Sequence, residues 1–423
     1  MLVPLSWLRD FAPFGDDVDA LVDTANELGF VVEGVQRVGA GIEDVVVARV
    51  LEVGPIEGAD RIRRVVVDAG GEPTQVVCGA WNFEARDTVA FAPVGAVLPG
   101  DFEIGRRKMK GVESHGMICS ARELELGTDG DGIMLLDAAL IPGTPLVEAM
   151  GIEPDVVLDL AIEGNRPDAL CVSGVARDMA AKLGLPFTLP EPAVVMPPPS
   201  GSGPSVRVDA PDLCPIFTAT LLADVTVGPS PSWLATRLTL SGMRPLNNVV
   251  DISNYVMLEL GQPTHPYDAA RLPGGGLSVR RAGPGEQLTT LDGEVRTLGD
   301  GDDCVIGDAE GAAVGIGGIM GGGSSEIHDG TTSVVLEAAW FEPMVIARTS
   351  KRLGLRSEAS ARFEKGVDAG SVERAAARYC ELAIALCGAS VADRTVWRDE
   401  QHAPTPATLT LRTARVNRLL GTR

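Results

Sequence analysis

Near the middle of the chain, residues 247–268 read NNVVDISNYVMLELGQPTHPYD. Amide, hydroxyl, carboxylate and imidazole groups are packed there among residues that are otherwise mostly apolar, the composition of a polar site held in a packed wall. Of the chain's four histidines, only His265 sits in such company. Around this stretch, residues 205–398 alternate strand-like and helix-like segments in an α+β manner.

Toward the N-terminus, PEPAVVMPPPSGSGP (Pro190 to Pro204) has the Pro/Gly/Ser composition of a linker and marks a boundary. Before it come a strand DVVLDLAI, a turn EGNRPDAL and a helix VARDMAAKLG, ended by Gly184 and Pro186. From Val45 to about Met150 short strands fall between turn signals: VVVARVLEV, RIRRVVVDAG, TQVVCGA, TVAFAPVGAVLPG, GMICSARELEL and GIMLL. Spacing of this kind predicts a small barrel or sandwich, an oligonucleotide-binding barrel being one option among several. At the N-terminus PLSWLRDF precedes a helix in which Val18, Leu21, Val22, Ala25 and Leu28 keep helical spacing. Asp16 or Asp17 caps it, Gly29 ends it and the strand FVVEGVQRV follows. Beyond residue 398, PTPATLTL (404–411) reads as a fresh strand and TARVNRLLG as a helix start. A helix cut off at Arg423 reads as a domain interrupted.

Composition sets the outer bounds. A chain of 423 residues predicts roughly three domains of about 150 residues, and 45% hydrophobic residues supply material for separate cores. Fifty Gly and 29 Pro, against five Trp, three Tyr and ten Phe, favour short strands and tight turns over long helical bundles. Seven cysteines without any CxxC pair point to a reducing compartment and away from structural zinc. His115, His328 and His402 lack ligand-like neighbours, so no metal site is expected. No signal peptide and no apolar run of membrane-spanning length is present, and a cytoplasmic, membrane-free protein is the expectation. A formal charge of −22 repels polyanions, so RNA contact would have to use local patches. Two stand out: Arg106, Arg107, Lys108 and Lys110 in one loop, and Arg412, Arg415, Arg418 and Arg423 in the tail.

Two sets of motifs carry a resemblance. GADRIRRVVVDAG, VVCGAWN, VAFAPVGAVLPG and MKGVESHGMICSARELELG resemble, in order, the tRNA-binding barrel shared by several aminoacyl-tRNA synthetases and a free-standing tRNA-binding protein. This chain has GAWN where many relatives carry a smaller or different third residue. The loop Arg106, Arg107, Lys108 and Lys110 would then supply phosphate contacts. GMRPLNNVVDISNYVMLELGQPTHPYD, VGIGGIMGGGSSEI, SVVLEAAWFEP and LRSEASARFEKGVD, with WLRDF and GNRPDAL, resemble the first half of the bacterial phenylalanyl-tRNA synthetase β-subunit family.

The resemblance implies an α+β multidomain chain. An OB-fold tRNA-binding barrel (41–151) would be inserted in a small α/β domain (1–40 plus 152–190). A linker (191–204), a B3/B4 editing domain (205–400) and the truncated start of a B5-type domain (404–423) would follow. It further implies tRNA(Phe) and the synthetase α subunit as partners in an α2β2 enzyme. The α subunit would use ATP and magnesium, so neither is expected on this segment.

GIGGIMGG meets neither the P-loop pattern, lacking Gly-Lys-Ser/Thr, nor GxGxxG, because Met320 takes the last glycine's place. Its glycines fit a close approach of backbone to a ligand or a neighbouring strand. An editing module answers a physical problem. A pocket for phenylalanine rejects an isostere carrying one added hydroxyl by only about 100-fold, so a second site must recognise that hydroxyl. By resemblance, Glu337 and the backbone of Gly318 would bind the tyrosine hydroxyl. Ser253, Asn254, His265 and Ala359 would surround the ester and terminal adenosine, with Asn254 and His265 orienting water. On the residues alone, Glu337 paired to Arg362 or Arg356 is the structural alternative. A non-catalytic tRNA-binding protein with a vestigial pocket is the functional one.

Overall fold

The computed structural model describes residues 1–126, 130, 132–151, 154–299 and 301–422. The chain forms two compact units, one of Leu2–Ser6 with Val32–Asp159, the other of Met1, Trp7–Val31 and residues from Leu160 onward.

In the first unit, the strands Val46–Ile56 and Ala59–Asp68 form an antiparallel pair at the centre of a curled sheet. Thr74–Cys78 extends it on one side, Thr88–Pro93 and Gly116–Ile118 on the other. Alternate residues Ala48, Val50, Val65, Val67, Val76, Val89 and Phe91 point into one core, as a two-residue period requires. The sheet closes on itself almost completely. Ser114, 3% exposed, bridges the seam: its Oγ accepts from the Val77 N–H at 3.0 Å and donates to the Gly116 carbonyl at 3.0 Å. Gly116 has φ +147°, and a Cβ there would stand 2.5 Å from the Phe91 ring, so only glycine lets the seam strand sit so close. An antiparallel sheet with five strands along its path, curled almost shut, is the form of an OB-type barrel, one of the options the spacing left open. Three strands are shorter than the sequence predicts: TVAFAPVGAVLPG stays in this sheet only over Thr88–Pro93, its Val97–Leu98 pairing instead with Phe102–Glu103. GMICSARELEL stops pairing after Ile118, because Glu123 Oε2 accepts from both the N–H and the hydroxyl of Ser120 at 2.7 Å and draws the chain into turns. In GIMLL only Leu135–Leu136 pairs. The strand Asp155–Ala161 lies between Leu2–Pro4 and Val31–Val38 in a small separate sheet.

The second unit holds the quoted stretch. Asn247 caps the helix Asn248–Leu260 by accepting from the Val250 N–H at 3.0 Å, and Gly261, φ +78°, ends it in the left-handed region. Three of its polar groups are framework. Asn248 donates to the Thr226 and Leu386 carbonyls, while buried Asp251 accepts from Ser230 Oγ at 2.6 Å and from the Leu246 N–H. Tyr255 stacks on Trp7 of the WLRDF motif, ring centroids 4.6 Å apart. The chain then turns into Thr264–Asp268, the edge of an antiparallel sheet continued by Val334–Trp340, Ile216–Ala223 and Ser390–Arg398. That helix and Val372–Cys387 cover one face. On the other face Phe217, Tyr267 and Val335 share a core with Val279, Val305 and Ile316 of a second, five-stranded sheet. The order is helices, sheet, sheet.

The Pro-rich stretch has no regular structure but is strapped down. Ala193 N–H donates to Glu381, Ser200 to Asp393, and Arg394 Nε to the Pro197 carbonyl at 2.8 Å. The strand predicted at 404–411 does not form. Leu409 is 89% exposed, and with no sheet edge beside it among the described residues a lone strand has no ladder to join. The helix Thr413–Leu420 does form and buries no residue.

Candidate active site

Thr264–Asp268 pairs antiparallel with Val334–Trp340, with His265 opposite Glu337. Opposed residues share a face and every second residue returns to it, so His265, Tyr267 and Glu337 project to one side. The strands Ala313–Ile316 and Met320–Gly321 form a tight hairpin, its turn made at Gly318 with φ +69°. Between them lies a narrow cavity of about 60 Å³ lined by His265, Tyr267, Gly318, Met320, Glu337 and Ala359, among others.

Glu337 is 6% exposed. Its Oε2 accepts from the Tyr267 hydroxyl at 2.7 Å, and Oε1 has no donor among the described residues. Burial raises its pKa from 4.5 to about 7, against the smaller opposing pull of the Tyr267 hydrogen bond. Neither arginine of the structural alternative pairs with it: Arg362 pairs with Glu358 at 2.7 Å and Arg356 with Glu364 at 2.8 Å. Burial also pushes the Tyr267 phenol well up, reinforced by the adjacent carboxylate. His265 meets the Tyr267 ring edge-on, centroids 4.5 Å apart. Enclosure lowers its pKa from 6.5 to about 4, which makes it a neutral imidazole across the physiological range.

Two glycines and one cap set the far wall. A Cβ on Gly321 would lie 2.5 Å from the imidazole, so the absence of a side chain is what lets His265 rest against the hairpin. Gly318 would push a Cβ within 2.9 Å of Ile346 and already needs a positive φ. The glycines therefore admit close approach, as their spacing suggested, and to side chains as well as to a strand. Ser357 caps the helix Glu358–Phe363, and its hydroxyl donates to the Ile319 carbonyl at 2.6 Å. This fixes Ala359 beside the turn.

The fold thus gathers His265, Glu337, Gly318 and Ala359 around one cavity. Ser253 and Asn254 lie on the helix behind it. The Ser253 hydroxyl donates to the Thr264 carbonyl at 2.5 Å and anchors the start of the site strand; Asn254 is half-buried and does not line the cavity. Tyr267 was missed by sequence reasoning, although it stands two residues beyond His265, the spacing that returns a strand to the same face. In the barrel, Arg106, Arg107, Lys108 and Lys110 are all exposed on the hairpin Arg107–Met109 and Val112–Ser114. None forms an ion pair with a described residue.

The B3/4 domain family model matches residues 213–388, and the tRNA binding domain model matches residues 45–145. Over its whole length the chain is 45% identical to the phenylalanine–tRNA ligase beta subunit of Geobacter sulfurreducens, covering 52% of that protein. It is 43% identical, again over all of this chain, to the beta subunit of Moorella thermoacetica, covering 53%. The chain therefore spans about half the length of the curated relatives it matches. Among solved structures, an N-terminal fragment of the phenylalanyl-tRNA synthetase beta subunit from Pyrococcus horikoshii aligns with 14% identity. It covers 47% of this chain and 62% of that one, at a TM-score of 0.28.

Proposed function

The chain belongs to the phenylalanine–tRNA ligase beta-subunit family, and from that premise we propose that its cavity hydrolyses tyrosine wrongly esterified to tRNA(Phe). The carrying observation is Glu337: a buried carboxyl with one oxygen held by Tyr267 and the other without a donor among the described residues. A tyrosine side chain entering the cavity brings the missing hydroxyl. Phenylalanine brings only C–H and leaves the carboxyl unpaired, a penalty of about 1–3 kcal/mol for each unmet group. Discrimination then favours the substrate with the additional polar group, the reverse of what a phenylalanine pocket achieves.

For the chemistry, water adds to the ester carbonyl, the bond to the ribose oxygen breaks, and a proton passes to that leaving oxygen. Neutral His265 would orient the water by accepting one of its protons in a hydrogen bond. With its pKa near 4 it is a weak general base, so much of the rate would come from placement and from the substrate's own ribose hydroxyl. In this reading Ser253 acts through Thr264, and Asn254 contributes only if the terminal adenosine reaches past the cavity. The barrel hairpin with Arg106, Arg107, Lys108 and Lys110 would hold the tRNA body. The whole enzyme would join this chain's family to an α subunit that charges tRNA with ATP and magnesium. Among the described residues no group of three or more His, Cys, Asp or Glu is arranged to hold a metal.

The test is deacylation of tyrosyl-tRNA(Phe) by the purified chain. Release of tyrosine, lost in Glu337→Ala, supports editing. An intact chain that binds tRNA but releases no tyrosine would leave a binding module with a vestigial cavity.

A further inference from the structure

The loop after the barrel strand Thr74–Cys78 holds a large aromatic ring that the hydrolytic reading leaves unused. Trp81 is 60% exposed. The guanidinium of Arg63 lies over its ring, 4.5 Å from the centroid, and also 4.6 Å from the ring of buried Phe83. The loop beneath is fixed. Arg63 Nη2 donates to the Ala80 carbonyl at 2.8 Å and the Phe83 carbonyl at 3.3 Å. Asn82 exchanges two hydrogen bonds with the Ile133 backbone, at 2.9 and 3.0 Å. The indole is thus backed by a cation on one side and open to solvent, on a loop that has little freedom to fold it away.

Its surroundings indicate what the open surface would meet. Gly79 and Ala80, just before it, line a cavity of about 410 Å³ whose walls include Arg107, Arg122 and Ser120. Glu103 and Glu123 also line it, but Glu123 is engaged by Ser120. Arg61 is exposed on the neighbouring strand. In a chain of formal charge −22, arginines beside an exposed indole complement a polyanion whose bases can stack.

We propose that Trp81, braced by Arg63, is the stacking platform for one unpaired base of the bound RNA, with the neighbouring nucleotide entering the cavity and its phosphate meeting Arg107 and Arg122. This rests on the reading of the barrel as a tRNA-binding domain and adds to it a particular contact. Stacking of a base on an aromatic side chain is sequence-tolerant and contributes about 1–3 kcal/mol.

The experiment measures binding of the whole chain to a tRNA(Phe) transcript and to a single-stranded RNA of about 12 nucleotides, across a salt series. Trp81→Ala is expected to weaken both by between about 5-fold and 100-fold, with the slope of log Kd against log salt unchanged because no charge is removed. Trp81→Phe should retain most of the affinity, and the indole quenching seen on RNA addition to the wild type should shrink in it. An unchanged melting temperature for Trp81→Ala separates the loss from unfolding. If Trp81→Ala binds within about twofold of wild type while Arg106, Arg107, Lys108 and Lys110 changed together to Ala abolish binding, the barrel holds RNA without the platform and the proposal is overturned. If the wild-type chain binds neither RNA, the barrel reading has failed and the platform falls with it.

Discussion

At the scale of single residues the most consequential pair is Glu337 and His265, whose titrations are displaced in opposite directions. The Glu337 carboxyl is raised from 4.5 to about 7, so between those values the folded protein holds a proton that the unfolded chain has released. Its contribution to stability is complete below pH 4.5 and declines as pH rises to about 7. His265 is lowered from 6.5 to about 4; there the unfolded chain holds the extra proton, and stability falls as pH drops from 6.5 to 4. The two slopes oppose each other over their shared window. Glu337→Gln should therefore make stability climb more steeply with pH between 4.5 and 6.5 than in the wild type, and His265→Gln should do the reverse, as urea midpoints at a series of pH values would reveal. Superposable profiles for all three proteins would sink the assignment. Tyr267→Phe removes the bond that holds Glu337 down, so the carboxyl's pKa should rise further and stability drop by about 1–3 kcal/mol. Tyr267 shows the limit of reading this site from sequence: His265 stands out by residue type, whereas a tyrosine among apolar neighbours looks like core until its partner strand is known.

At the scale of elements, the hairpin Ala313–Ile316 and Met320–Gly321 does what its glycines require. Gly321→Ala would set a methyl 2.5 Å from the imidazole. Overpacking of this kind costs about 1–3 kcal/mol, and deacylation should fall with it as His265 is displaced; an Ala variant with wild-type melting and hydrolysis would remove this role. In the barrel, Ser114→Ala leaves the buried Val77 N–H without its acceptor, and a loss of about 1–3 kcal/mol in the barrel's unfolding is expected. The helix start at Asp17 and the strands rich in Val were legible because cap chemistry and side-chain period are local signals. The seam at Ser114 was not, since closure joins segments whose pairing no local pattern specifies. The failed strand at 404–411 has the same cause inverted: local propensity was present and a partner edge was not.

Over the whole molecule, charge and sheet order matter most. Composition alone opposes RNA binding, yet the hairpin cations are exposed and unpaired among the described residues, so affinity should depend steeply on salt. Replacing Arg106, Arg107, Lys108 and Lys110 by Ala should flatten the slope of log Kd against log salt by up to about 3. Limited proteolysis should cut first within 404–412, where the backbone has no ladder and Leu409 and Leu411 are 89% and 75% exposed. The order of the four-stranded sheet, with Thr264–Asp268 at its edge, gives the site a parity. His265, Tyr267 and Glu337 meet only because 265 stands opposite 337. Were one residue inserted between Gly261 and Thr264 and taken up by a shift of the edge strand, imidazole and phenol would turn toward the helices. An insertion of two would bring the same face back. Length changes in that connection should therefore be felt as odd or even before they are felt as long or short.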